Sequence, residues 1–151
     1  MDVGDKVEDF ESVDQRGERV RLSDQLAKGP VVLFFYPKAM TAGCTAEACH
    51  FRDLTAEFDR AGATPIGVSG DSVEDQAEFD RRNNLGLTLL SDPDKRISRL
   101  FDVKRPGPLG LRRTTFVIDT DRRVAKVISS EFNMDMHADE ALEFLVSSPE
   151  G

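Results

Sequence analysis

Cys44 and Cys49, five residues apart, are the only thiols in the chain. In a reducing compartment such a close pair is more often catalytic or metal-binding than a structural staple. The segment that holds them reads Tyr36-Pro37-Lys38-Ala39-Met40-Thr41-Ala42-Gly43-Cys44-Thr45-Ala46-Glu47-Ala48-Cys49. Cys44 follows a loop that carries Pro37 and Gly43, and it falls in the first turn of a predicted helix. Unpaired backbone N–H groups and the positive end of the helix dipole favour a thiolate there. The opposing reading makes Cys44 a small apolar filler.

Three other chemistries compete for these residues. A metal module would take Cys44, Cys49 and His50, with His137 as a fourth ligand. The spacing, with no C-x-x-C and no H-x-x-x-H, makes a poor tetrahedral set. The bland alternative places His50 on an exposed helix face and His137 near the start of the last helix. A dithiol–disulfide oxidoreductase normally carries C-x-x-C, whereas four residues separate the two thiols here. A non-catalytic chaperone or structural role is a third alternative.

The elements that must position the thiols follow from hydrophobic period and turn residues. Residues 10–22 read as a β-hairpin about Asp14-Gln15-Arg16-Gly17. Residues 31–36, all apolar or aromatic, read as a strand buried on both faces and ended by Pro37. A helix is expected over 45–61, with Phe51, Leu54 and Phe58 on one face. Further strands are expected at 65–68 and 88–90. Helices are expected at 73–83, capped by Ser72 with Asp75 as an imperfect partner, and at 94–101. Residues 115–118 and 124–128 bracket a polar turn and read as a hairpin, and a last amphipathic helix covers 138–147. Alternating strands and helices imply an α/β fold with a central mixed sheet covered on both faces. Without repeats or linkers, residues 1–151 are expected to form one domain.

Bulk composition narrows the partners. The chain is 39% apolar and 32% charged, with a net charge of −8. Nucleic acid is a poor partner for such a surface, because phosphate binding needs basic groups. With no apolar leader at the start and no long apolar run, the expectation is a cytoplasmic protein without a membrane span. The run at 104–113 is basic against this acidic background. It is expected to form a loop leading to Arg113, with attraction of an acidic reductant as a weaker idea.

The motif Pro37-x-x-x-Thr41-x-x-Cys44 resembles the active-site signature of the peroxiredoxins. The spacing to Cys49 brings it closest to the bacterioferritin-comigratory or PrxQ group. Phe34-Phe35-Tyr36-Pro37, Phe51-Arg52-Asp53, Gly67-Val68-Ser69-x-Asp71-Ser72 and Arg113-Thr114-Thr115-Phe116-Val117-Ile118-Asp119 extend the likeness along nearly the whole chain. The resemblance implies a thioredoxin-like fold with an N-terminal hairpin and a thiol peroxidase acting on hydrogen peroxide and organic hydroperoxides. It makes Cys44 the peroxidatic cysteine, Thr41 the hydroxyl that hydrogen-bonds the peroxide, Pro37 the shielding proline and Arg113 the arginine facing the sulfur. Cys49 becomes the resolving cysteine, and thioredoxin or a related dithiol the reductant. No cofactor or metal is implied, and intramolecular resolution favours a monomer or weak homodimer. Arg112 rivals Arg113, but alternation along a strand points the two in opposite directions.

A free thiol with a pKa near ~8.5 is a few per cent ionised at neutral pH, so full ionisation raises the reactive fraction about 30-fold, or ~2 kcal/mol. Enzymatic accelerations of about a million-fold need more. The remainder must come from donors aimed at the departing peroxide oxygen, for which Thr41, the helix-start amides and Arg113 are suited. If both cysteines lie on one intact helix, their Cα atoms stand roughly 8–9 Å apart. A disulfide spans no more than about 7 Å, so its formation requires local unwinding over residues 44–52.

Overall fold

The computed structural model describes residues 1–105 and 110–147. Its centre is the apolar run Val31–Phe35 (β3), in which every residue is buried. Because side chains alternate along a strand, Val31, Leu33 and Phe35 enter one core and Val32 and Phe34 the other. β3 pairs in parallel with Thr64–Ser69 (β4) and antiparallel with Thr114–Ile118 (β6). Glu11–Asp14 (β1), Arg19–Arg21 (β2), Thr88–Ser91 (β5) and Val124–Ser129 (β7) complete a seven-stranded mixed sheet of order β2-β1-β5-β4-β3-β6-β7.

Helices cover both faces, as expected. Leu22–Leu26 (α1) and Arg96–Leu100 (α5) contribute Leu22, Leu26 and Ile97 to the first core. The second core lies under Ala42–Asp53 (α2), Thr55–Arg60 (α3), Val73–Asn83 (α4) and Met134–Ser147 (α6), which supply Phe51, Phe58, Phe79, Ala138, Ala141 and Leu145. Phe51 stacks on Phe34 with ring centroids 4.1 Å apart, and this fixes α2 against β3. Gly67 of β4 leaves room for these rings, since a Cβ there would come within 2.9 Å of the Phe34 ring.

Several local expectations hold. The hairpin turns at Gly17 with φ +79, and Ser72 Oγ caps α4 by accepting from the Asp75 amide at 3.1 Å. Others need correction. The helix expected over 45–61 begins earlier, at Ala42, and is two helices broken at Leu54. Phe51, Leu54 and Phe58 still face the same core across that break. Leu22 leaves the hairpin to start α1, a helix too short for its period to be read. The last helix starts four residues before 138, so His137 lies inside it and has no solvent exposure. Of the basic run at 104–113, residues 106–109 lie outside the described residues.

Candidate active site

The chain reaches the site from two neighbouring strands. β3 ends at Phe35, and the loop through Pro37 and Met40 delivers the start of α2. β6 runs the opposite way, with Thr114 opposite Phe35, so Arg113 sits at the same end of the sheet. By strand alternation Arg113, Thr115 and Val117 share the face covered by α2 and α6. Arg113 is accordingly buried, while Arg112 is exposed.

Cys44 is the third residue of α2 and is buried. Its Sγ accepts a hydrogen bond from Arg113 Nη1 at 3.4 Å, joining residues 69 apart in sequence. A guanidinium and the unpaired amides of a first helical turn both stabilise negative charge on sulfur. Gly43 permits the approach, because a Cβ there would lie 3.2 Å from Arg113 Nη2. Pro37 is half-buried on the loop before the helix.

Thr41 takes the N-cap position of α2, but its hydroxyl donates to the Lys38 carbonyl at 2.8 Å and leaves the helix amides free. Its proton is committed to the backbone, and what it presents outward is an acceptor oxygen.

Cys49 is partly buried and lies on the same unbroken helix as Cys44, and both thiols are free. His50, expected to be exposed, is held by Asp139 of α6, with Nε2 and Oδ1 2.7 Å apart. Among the described residues no three His, Cys, Asp or Glu side chains are grouped so that they could hold a metal ion. No helix among them is long and apolar enough to cross a membrane.

The residue missed in the sequence is Glu47. It has no solvent exposure, and its Oε1 accepts from the same Arg113 Nη1 at 2.8 Å. Burial pushes its carboxyl up to about 7, against the pull of the Arg113 guanidinium. The signal was present: Glu47 stands three residues after Cys44, and positions i and i+3 share a helix face. His137 also joins the site, with its Nδ1 3.6 Å from Glu47 Oε2. Burial holds the imidazole below the usual histidine range, although its bond to the Ser130 carbonyl works the other way.

A buried thiol, a guanidinium bonded to it and a helix start behind it form a site for nucleophilic attack by sulfur. Residues 3–127 match the model of the AhpC/TSA family. The chain is 53% identical in sequence to the crystal structure of peroxidoxin BcpB from Mycobacterium tuberculosis, with a TM-score of 0.94 over 97% of each chain. It is 42% identical to peroxiredoxin Bcp of Bacillus subtilis over 83% of each chain. A PrxQ mutant from Xylella fastidiosa superposes with a TM-score of 0.90 at 29% identity, over 97% of this chain and 96% of that one.

Proposed function

The chain belongs to the AhpC/TSA family and is a thiol peroxidase of the peroxiredoxin type with a thioredoxin-like fold, and we propose that its attacking group is the Cys44 thiolate. The observation that carries this reading is the contact of Cys44 Sγ with Arg113 Nη1 at the start of α2. Sulfur attacks one peroxide oxygen, an S–O bond forms and the O–O bond breaks. The departing oxygen takes a proton and leaves as water or an alcohol. Cys44 is oxidised by two electrons to the sulfenic acid, and the peroxide is reduced.

Charge develops on the departing oxygen, and fixed donors aimed at it lower the barrier. Arg113 and the α2 amides are those donors. Thr41 Oγ1, its own proton held by Lys38, accepts the O–H of the bound peroxide. Pro37 shields the sulfur from solvent.

Cys49 then attacks the sulfenic sulfur, giving the Cys44–Cys49 disulfide and water. The two residues stand five apart on one helix, roughly 8–9 Å between Cα atoms, so residues 44–52 unwind to close the bond. An outside dithiol, thioredoxin or a relative, returns both thiols. Because both cysteines come from one helix, the cycle needs no second subunit, which supports a monomer or weak homodimer. The need for reduced thiols supports a cytoplasmic location. The single sheet, drawing strands from Glu11 to Ser129, supports one domain over residues 1–151.

Mass spectrometry after one equivalent of hydrogen peroxide tests the reading. Wild type is expected to show a disulfide between the two cysteines, Cys49→Ser a sulfenic acid on Cys44, and Cys44→Ser no peroxide consumption. Peroxide consumption by Cys44→Ser at the wild-type rate overturns it.

A further inference from the structure

Arg113 offers one nitrogen, Nη1, to two acceptors, Cys44 Sγ at 3.4 Å and Glu47 Oε1 at 2.8 Å. With both acceptors ionised, one buried cation would face two buried anions. Such a cluster favours taking up a proton, because desolvation penalises each charge.

The surroundings show where that proton lies. Glu47 Oε2 is buried without a hydrogen-bond partner and stands 3.6 Å from His137 Nδ1. The other ring nitrogen, Nε2, lies 2.9 Å from the Ser130 carbonyl oxygen. A carbonyl only accepts, so Nε2 carries the ring proton and Nδ1 presents a lone pair. Thr115 Oγ1, 2.8 Å from Nδ1, serves as a donor to it. That lone pair is thereby engaged, and the ring edge offers no proton to Glu47 Oε2; a bare carboxylate oxygen there is buried without a donor, a cost that protonation of the carboxyl removes.

We propose that Glu47 carries a proton beside neutral His137, and that this proton keeps the charge of Arg113 available to Cys44. The pair positions charge and does not touch the peroxide; the inference rests on reading Cys44 as the attacking thiolate. The groups facing it are Cys44 on α2, Arg113 before β6, Glu131 between β7 and α6, and Glu140 on α6. Glu131 is already engaged, since its Oε2 accepts from the Arg113 amide at 2.9 Å. Burial raises Glu47 to about 7 and depresses His137, so below neutrality the proton sits on the carboxyl. Once Glu47 ionises, Arg113 is divided between two anions and the sulfur loses part of its counter-charge.

Two measurements test this without relying on turnover. The first is the infrared difference between wild type and Glu47→Gln. A carbonyl band of a protonated, buried carboxyl group is expected below neutrality and is lost above it. The second is the rate of iodoacetamide alkylation of Cys44 in a Cys49→Ser background. Glu47→Gln, which is neutral at every pH, is expected to match wild type below neutrality. Above neutrality it is expected to be alkylated about threefold faster than wild type, equal to half a pK unit. Absence of the carboxyl band below neutrality, or equal alkylation rates of wild type and Glu47→Gln above it, overturns the proposal. If Cys44 in the Cys49→Ser protein is alkylated as described but not oxidised by peroxide, the peroxidase reading fails and the protonated Glu47 stands.

Discussion

Asp71 Oδ2 accepts a hydrogen bond from the Ala39 amide at 2.7 Å, so the turn after β4 holds the loop that enters α2. The same oxygen accepts from Ser69 Oγ at 2.6 Å. Ser69 Oγ in turn accepts from Gln76 Nε2 at 3.0 Å, and Gln76 Oε1 accepts from the Tyr36 hydroxyl at 2.5 Å. A chain of polar contacts thus ties the loop to both β4 and α4. Asp71→Ala leaves a buried amide unpaired, which costs about 1–3 kcal/mol. Urea unfolding of the reduced protein is expected to register that loss. Peroxide turnover is expected to fall roughly tenfold or more, because misplacement of catalytic groups by fractions of an ångström is expensive.

Gly43→Ala separates activity from stability. Alanine suits a helix better than glycine by up to ~1 kcal/mol. Its Cβ, however, would stand 3.2 Å from Arg113 Nη2 and 3.5 Å from Met134 Sδ. The expected result is an unfolding midpoint at or above that of wild type, with peroxidase activity down about tenfold as the guanidinium is displaced. Equal turnover with equal stability would show that the position of Arg113 over α2 is unimportant.

Arg113→Lys keeps the charge but loses the fork. One ammonium on a flexible stem does not reproduce a planar group fixed against Cys44 and Glu47. A fall in peroxidase rate of about a hundredfold is expected, the scale of removing one fixed donor from a site of developing charge. Stopped-flow measurement of the first oxidation, before any disulfide forms, isolates this step from resolution by Cys49.

Stability is expected to carry the signature of Glu47 in its pH dependence. The carboxyl moves from its ordinary 4.5 to about 7 on folding, so between these values the native state binds more protons than the unfolded state. Stability from this group therefore falls as pH rises through the window. The cost is absent below it and complete above it, at about 3 kcal/mol. His137, held below its ordinary 6.5, has the opposite sign: the unfolded state takes the proton first as pH falls below that value. Subtracting the Glu47→Gln curve from wild type isolates the glutamate, and the difference is expected to grow in favour of the variant from pH 4.5 to about 7. A flat difference would place Glu47 in a far more polar setting than its burial implies.

Much of the frame was legible in one dimension, for physical reasons that apply element by element. Residues 31–36 are apolar throughout because β3 is covered on both faces, and such a run has few other readings. α4 was legible because Ser72 announces its start. α2 was misread at its start because Ala42-Gly43 is a weak helical opening and Thr41 spends its hydroxyl on Lys38. The break at Leu54 was hidden because Phe51, Leu54 and Phe58 keep one apolar face on both sides of it. In the site, Cys44 and Arg113 were reachable through the motif. Glu47 carried only the signal of its i+3 spacing from Cys44, which is weak because a glutamate in a helix ordinarily faces solvent and only the arrival of Arg113 from the far end of the chain makes it an inward residue. His137 reads in sequence as a fourth metal ligand or as a residue near the start of the last helix, because nothing there shows that Thr115 and Ser130 reach it.

The pairing of Phe35 with Thr114 has a bearing on folding fidelity. All five residues of β6 are buried, so its hydrophobic pattern gives little defence against a shift of one position. Such a slip turns each side chain to the opposite face, which would send Arg113 away from the sulfur and bring Arg112 round. The resulting molecule would conceal its apolar residues nearly as well as the native one and yet be chemically blank. Selection for peroxide chemistry is therefore also selection for one strand alignment, and activity per molecule becomes a direct assay of correctly threaded chains.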